Sequence, residues 1–333
     1  MIPALTELSL GCAQLGNLYR AIADEQATAT VDAAWESGIR YFDTAPHYGL
    51  GLSERRLGVA LAGRSRADFV VSTKVGRRLE PVAGVHGRDD QGFDVAMTHR
   101  RVWDFSRDGV LRSLADSLAR LGLDRIDIVY LHDPDEHYHD ALATAYPALE
   151  ELRGQGVVRA IGAGMNQSAM LADFARHTDI DLVMLAGRYT LLEQPALDDL
   201  LPLCAPRGVR VVAAGVFNSG LLADPAPRPD AKYNYADAPA GLLARARRIA
   251  EVCARHGSSL PAAALAFPLG HPAVLSVCVG ARSPAQIEDN AALRDAQPPA
   301  RLWDELKSEG LLRADAPVPA APSRARHGAA DGS

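Results

Sequence analysis

The sequence predicts a parallel (β/α)8 barrel. Three observations carry that expectation. Short apolar runs alternate eight times with stretches of helical period. The alternation fills about the length such a barrel needs, and the two longest irregular connections both follow strand ends. Strand–helix alternation calls for parallel strands joined by helical crossovers. An open doubly wound sheet is the rival, but it would announce a glycine-rich first turn where this chain reads LGCAQLGN.

The elements follow in order. LSLG (8–11) is a short apolar strand. Residues 24–38 place Ala27, Val31, Ala34 and Trp35 on one helical face, with Asp24 able to cap and Gly38 able to stop it. IRYFD (39–43) is strand-like, and 53–63 read as a helix opened by Ser53 and closed by Gly63. DFVVSTK (68–74) is the third strand, followed much later by an amphipathic helix over 106–122. Strands at 125–133, 157–164, 181–187, 209–215 and 273–280 alternate with helices at 139–156, 167–177, 196–205, 241–256 and 261–270, and a last helix covers 284–293.

Residues 76–105 and 216–240 are too long to be mere turns and have no sustained period, which marks lids or binding loops. One barrel domain is expected over 1–313, and the Pro/Ala/Ser/Gly-rich tail 314–333 is expected to be disordered. The 333 residues are 48% hydrophobic and 23% charged, with net charge −6, which argues against nucleic acid as a partner. Cys12, Cys204, Cys253 and Cys278 lie far apart without CxxC spacing, so reduced thiols are expected. No run approaches a membrane span and no secretion signal opens the chain, so it reads as cytoplasmic.

On a barrel, chemistry gathers just past the strand C-termini. The second strand delivers Asp43, then His47 and Tyr48; the third delivers Lys74; the fourth delivers His132 with Asp133 and Asp135. A phenol is a poor base at neutral pH, but an adjacent ammonium favours its phenolate. An aspartate beside the lysine would hold it charged, and a histidine opposite could bond the reacting oxygen. Tyr48 could then exchange a proton with a carbonyl or hydroxyl oxygen. Singly, each residue has a plain structural role open to it: a turn cap, a surface charge, a core imidazole. HDPDEHYHD (132–140) lacks the HExxH spacing of a zinc site, and no metal is expected. Asn166 after the fifth strand could cap a helix or meet a ligand. Arg282 and Ser283 after the eighth could hold phosphate, or be a solvated charge and an ordinary cap.

GIRYFDTAPHYGLGLSERRLG, STK and YLHDPD resemble the signature segments of the aldo-keto reductase family, and the resemblance runs from about Leu8 to Leu311. It implies a (β/α)8 barrel that binds NAD or NADP, with Asp43, Tyr48, Lys74 and His132 as catalytic residues. It also implies cofactor contacts at Asn166, Gly215, Phe217, Gly280, Arg282, Ser283, Gln286 and Asn290. Several positions depart from the common pattern. Met165 stands where a serine is frequent, Ala186 where a glutamine is usual, and Ala214 or Gly215 where an aromatic often stacks on nicotinamide. Gly280 and Gln286 stand where NADP-preferring members carry lysine and arginine, which favours NAD. GCAQLGNLYR and HYGLGLSERRLG resemble a branch of dehydrogenases acting on L-fucose, D-threo-aldoses or pyridoxal. That implies oxidation of a sugar at C1 to its lactone, with Asn17, Tyr19, Trp103 and Asp133 as candidate substrate contacts. Pyridoxal oxidation, broad NADPH-dependent aldehyde reduction, and a non-catalytic regulatory subunit of a channel are the alternatives.

Overall fold

The strands run β1 (Leu8–Gly11), β2 (Tyr41–Asp43), β3 (Val70–Val75), β4 (Arg77–Pro81), β5 (His99–Trp103) and β6 (Ile128–His132). They continue as β7 (Ala160–Met165), β8 (Leu182–Ala186), β9 (Arg210–Ala214), β10 (Lys232–Tyr233), β11 (Ala236–Asp237) and β12 (Val274–Gly280). In the computed structural model, which describes residues 2–84, 87–234 and 236–320, eight of them close into a parallel barrel in the order β1-β12-β9-β8-β7-β6-β3-β2. The expected fold class is therefore the observed one. Helices pack outside, and one apolar core lies between them and the strands. A second cluster fills the barrel itself, with Tyr41, Ile128, Tyr130, Leu182 and Val212 among its members and Ile2 and Leu5 packed against it. Among the described residues, no helix is long and apolar enough to cross a membrane.

Local chemistry sets the helix ends. Ser106 caps the helix Arg107–Leu121 by accepting from the Gly109 N–H at 3.0 Å, and Gly122 closes it in the left-handed region (φ 63°). Ser53 does not cap its helix as expected. The helix Leu52–Leu61 begins one residue earlier behind Gly51, and the buried Ser53 hydroxyl donates to the Cys12 carbonyl at 2.7 Å. The predicted helix at 139–156 is interrupted by a π-helical turn at Ala141–Ala145, just before Pro147, which has no N–H to continue the ladder.

The described residues of the two long connections carry structure of their own. Residues 76–105 hold the antiparallel hairpin β4–β5, paired from Arg77↔Trp103 to Pro81↔His99. Residues 216–240 hold the small ribbon β10–β11. A further helix, Ala300–Ser308, buries Leu302, Trp303 and Leu306. Of the expected disordered tail, residues 314–320 are described: Ala316 is buried and Val318 lies against Gly270. Residues 321–333 lie outside the described residues. All four cysteines are free and buried.

Candidate active site

Parallel pairing brings β2, β3 and β6 side by side, so their C-termini share one rim. Alternation along each strand then turns Asp43, Lys74 and His132 into the barrel mouth. The Lys74 ammonium donates to Asp43 Oδ2 at 2.6 Å, to the Thr44 carbonyl at 3.0 Å and to the Tyr48 hydroxyl at 3.1 Å. Tyr48 reaches it from a turn in which its own N–H bonds the Ala45 carbonyl at 3.1 Å. Two glycines make that turn possible. A side chain at Gly49, whose φ is +61°, would put its Cβ 2.2 Å from the Gly16 carbonyl oxygen, so the loop after β1 locks onto the Tyr48 turn. The His132 ring stands perpendicular to the Tyr48 ring with centroids 5.9 Å apart. The four predicted residues are therefore brought together.

Electrostatics at this cluster differ from the simple expectation. Burial pushes the Tyr48 phenol above its ordinary value; Lys74 pulls it down, Asp43 pushes it up, and the net direction is upward. Burial also pulls Lys74 down, but Asp43 and Tyr48 together hold its ammonium above the usual range. His132 is driven well below its ordinary value by burial and by the positive charges of Arg77 and Lys74. Burial, then Arg101, Arg77 and Lys74, take His47 down to about 2. Both imidazoles are thus neutral at pH 7, and the resting tyrosine is a phenol beside a permanent cation.

The hairpin connection covers this cluster. Arg77 pairs with Asp133 Oδ2 at 2.6 Å, and its guanidinium lies 4.5 Å from the Trp103 ring centroid. Arg101 is paired with the fully buried Asp89 and donates to the His47 carbonyl at 3.0 Å. Phe93 faces the Tyr48 ring at 6.0 Å and the His47 ring at 5.2 Å. Sequence reading did not single out Phe93, Arg77 or Arg101, because they sit in a segment without period and acquire meaning only through pairing. Trp103 is 44% exposed at the mouth, stacked on Phe105, with the His137 ring tilted against it at 4.9 Å. Asp133, at φ +41°, lies with Oδ2 3.7 Å from His132 Nε2.

A groove of about 440 Å³ crosses the rim from β1 and β12 to β8 and β9. Gly11, Ala186, Gly187, Gly215 and Gly280 give it walls without bulk. Asn166, Phe217, Arg282 and the 58%-exposed Tyr19 line it too, as do Ala186 and Ala214 where bulkier residues are common in the resembled family. The Gln14 Oε1 and Asn218 Oδ1 atoms are buried along it without hydrogen-bond partners, and the Arg282 guanidinium has no ion-pair partner among the described residues. Unspent acceptors and a spare cation beside a narrow slot suit the hydroxyls, carboxamide and phosphates of a nicotinamide dinucleotide. Asn166, Gly215, Phe217 and Arg282 would hold it.

Other expected contacts sit elsewhere. Ser283 is spent as the cap of the helix Pro284–Asp295, where it accepts from the Gln286 N–H. Gln286 accepts from the Arg282 N–H at 2.9 Å, and Asn290 is buried further along that helix, outside the groove lining. Asn17 accepts from Arg56 at 2.7 Å and from the Ile22 N–H at 3.1 Å, and it lines a separate cavity with Gly49, Arg88 and Thr98. Among the described residues no group of three or more His, Cys, Asp or Glu could hold a metal ion.

The model of the aldo/keto reductase family matches residues 7–308. A D-threo-aldose 1-dehydrogenase from Pseudomonas sp is 51% identical over 313 residues, covering 93% of this chain and 95% of that one. A pyridoxal 4-dehydrogenase from Microbacterium luteolum is 42% identical, covering 92% and 95%. Among solved structures, the holo form of an aldo-keto reductase from Bacillus halodurans superposes with a TM-score of 0.70 at 28% identity, covering 93% of each chain.

Proposed function

The chain belongs to the aldo/keto reductase family of oxidoreductases, and from that premise we propose that it oxidises an aldose at C1 to the lactone with NAD or NADP. The observation that carries this reading is the Lys74 ammonium bonded at once to Asp43 and to the Tyr48 hydroxyl, at the edge of a groove suited to a dinucleotide. The bound dinucleotide supplies the acceptor for the hydride that leaves the sugar C1. Tyr48, once ionised to its phenolate, takes the proton from the anomeric hydroxyl and becomes a phenol again. Lys74 stabilises the phenolate before that transfer, and Asp43 holds Lys74 in place. His132, its basicity suppressed by burial and the neighbouring cations, donates a hydrogen bond from its ring N–H to the reacting oxygen and leaves the proton to Tyr48. Trp103 offers exposed indole surface to a sugar ring, and Asp133 with Arg77 offers polar partners for its hydroxyls.

NAD is the proposed preference. Gly280 brings no cationic side chain to the groove, and the Gln14 amide lies against it, 2.4 Å from where a Cβ would stand. Gln286 is neutral, which leaves Arg282 as the groove's positive group. A second reading, oxidation of pyridoxal, is favoured by the aromatic rings gathered at the mouth: Phe93, Trp103 and Tyr48. The cyclic hemiacetal of pyridoxal presents the same C–H and O–H pair as a sugar. The deciding experiment follows absorbance at 340 nm with purified protein, each cofactor in turn, and L-fucose, D-arabinose, L-galactose or pyridoxal. Turnover on the sugars with NAD supports the proposal. Turnover on pyridoxal alone moves the assignment to the second reading, and NADPH-linked reduction of simple aldehydes alone overturns both.

A further inference from the structure

Beneath the cluster at the mouth lies a second polar layer inside the barrel. Two residues below Asp43, Lys74 and His132 on the same strands stand Tyr41, Ser72 and Tyr130, facing the same interior. All three are fully buried. Their hydroxyls form a chain: Tyr130 to Tyr41 at 3.1 Å, Tyr41 to Ser72 at 3.0 Å, and Ser72 to Asp43 Oδ1 at 2.6 Å.

Counting protons fixes the direction of every bond. A carboxylate only accepts, so Ser72 donates its single proton to Asp43. Tyr41 must then donate to Ser72, and Tyr130 must donate to Tyr41. The three O–H dipoles point one way and end on one carboxylate oxygen, while Lys74 takes the other at 2.6 Å. Such a chain strengthens each of its members, and no donor in it is wasted. Phenylalanine would fill the same space as either tyrosine without a buried hydroxyl to satisfy.

We infer that Tyr130, Tyr41 and Ser72 are positioning residues, a one-way donor chain that pins the Asp43 carboxylate in the rotamer that aims Lys74 at Tyr48. They touch neither substrate nor cofactor and act through Asp43. The inference rests on the proposed proton transfer at Tyr48 for its kinetic consequence, though not for its structural one.

The test therefore uses two readouts on the full chain. The first is the infrared carboxylate stretch of Asp43, identified as the band lost in Asp43→Asn. The second is the split between kcat and KM, with nucleotide Kd measured by titration. Ser72→Ala is expected to shift the Asp43 band and to lower kcat about tenfold, the weight of one charge-assisted hydrogen bond, with KM and Kd unchanged. Tyr41→Phe is expected to do the same more weakly, and Tyr130→Phe more weakly still. Ser72→Thr, which keeps the hydroxyl, restores both band and rate. A band unmoved in Ser72→Ala overturns the inference whatever the turnover. A band that moves while kcat of an active enzyme holds overturns the positioning role. A band that moves in a protein whose parent oxidises no sugar or aldehyde supports the chain and places the failure in the proposed activity.

Discussion

Tyr48 shows how a residue readable in sequence acquires its chemistry from its surroundings. A lysine beside a tyrosine favours the phenolate, and Lys74 does so here, yet burial and Asp43 outweigh it. The resting group is a phenol, and the sign of a pH effect follows. Below a raised pKa, the phenolate fraction grows about tenfold per pH unit. The rate of the proposed oxidation is therefore expected to climb with pH from 6 to 10, which a kcat/KM profile checks. A flat profile would put the proton acceptor elsewhere. Tyr48→Phe is expected to lower turnover by roughly 10²–10⁴-fold, the usual weight of a positioned acid–base group, with nucleotide affinity near wild type. Retention of most activity would remove Tyr48 from the mechanism. Asn17 makes the opposite point. Its place next to the first strand invites a substrate role, but its side chain is occupied by Arg56 and the Ile22 N–H, a use that no local pattern announces.

At the scale of elements, the connection after β3 is where the sequence says least. Its hairpin carries four arginines and one acid, Glu80, which pairs across the strands with Arg100, so no apolar period survives to be read. The segment is held down by charge. Arg101 and Asp89 are both nearly inaccessible, and Arg101 also reaches the backbone of His47. Removing one partner of such a pair leaves a buried charge uncompensated, at a cost of about 3–5 kcal/mol. Arg101→Met is expected to lower the urea midpoint accordingly and to make the hairpin the first site of limited proteolysis. Cleavage appearing first at the barrel helices instead would show that the pair does not anchor the hairpin. The Tyr48 turn is a second tight element. Gly49→Ala adds a Cβ 2.2 Å from the Gly16 carbonyl in a left-handed residue and is expected to cost about 1–3 kcal/mol. Thermal unfolding of the variant measures it.

For the whole molecule, the barrel gathers its candidate site at one end, and two neutral imidazoles there couple stability to pH. His47 is held down to about 2 and His132 well below its ordinary value, whereas in the unfolded chain each protonates near 6.5. Below 6.5 the unfolded chain binds more protons than the native one. This contribution to stability is thus fully present above 6.5 and is lost as pH falls from there toward about 2, by up to about 1.4 kcal/mol per pH unit for each imidazole. Urea unfolding at pH 7.5 and 5.0 is expected to show that loss, and His47→Gln with His132→Gln is expected to flatten it. An unchanged slope in the double variant would assign the acid sensitivity to other groups.

The amino-acid order alone determined the barrel, because eight alternations of period 2 and period 3.6 leave parallel strands with helical crossovers as the solution. It also put Asp43, Lys74 and His132 at three strand ends, since position along a barrel strand decides which rim a residue reaches. Tertiary structure decided the rest. Strand register placed Ser72 against Asp43 and built the hydroxyl layer under it. Closure brought β1 against β12, and so Gln14 against Gly280. Burial set the protonation of Tyr48, His47 and His132. Each of these depends on distances between residues remote in the chain, and a linear pattern carries no distance.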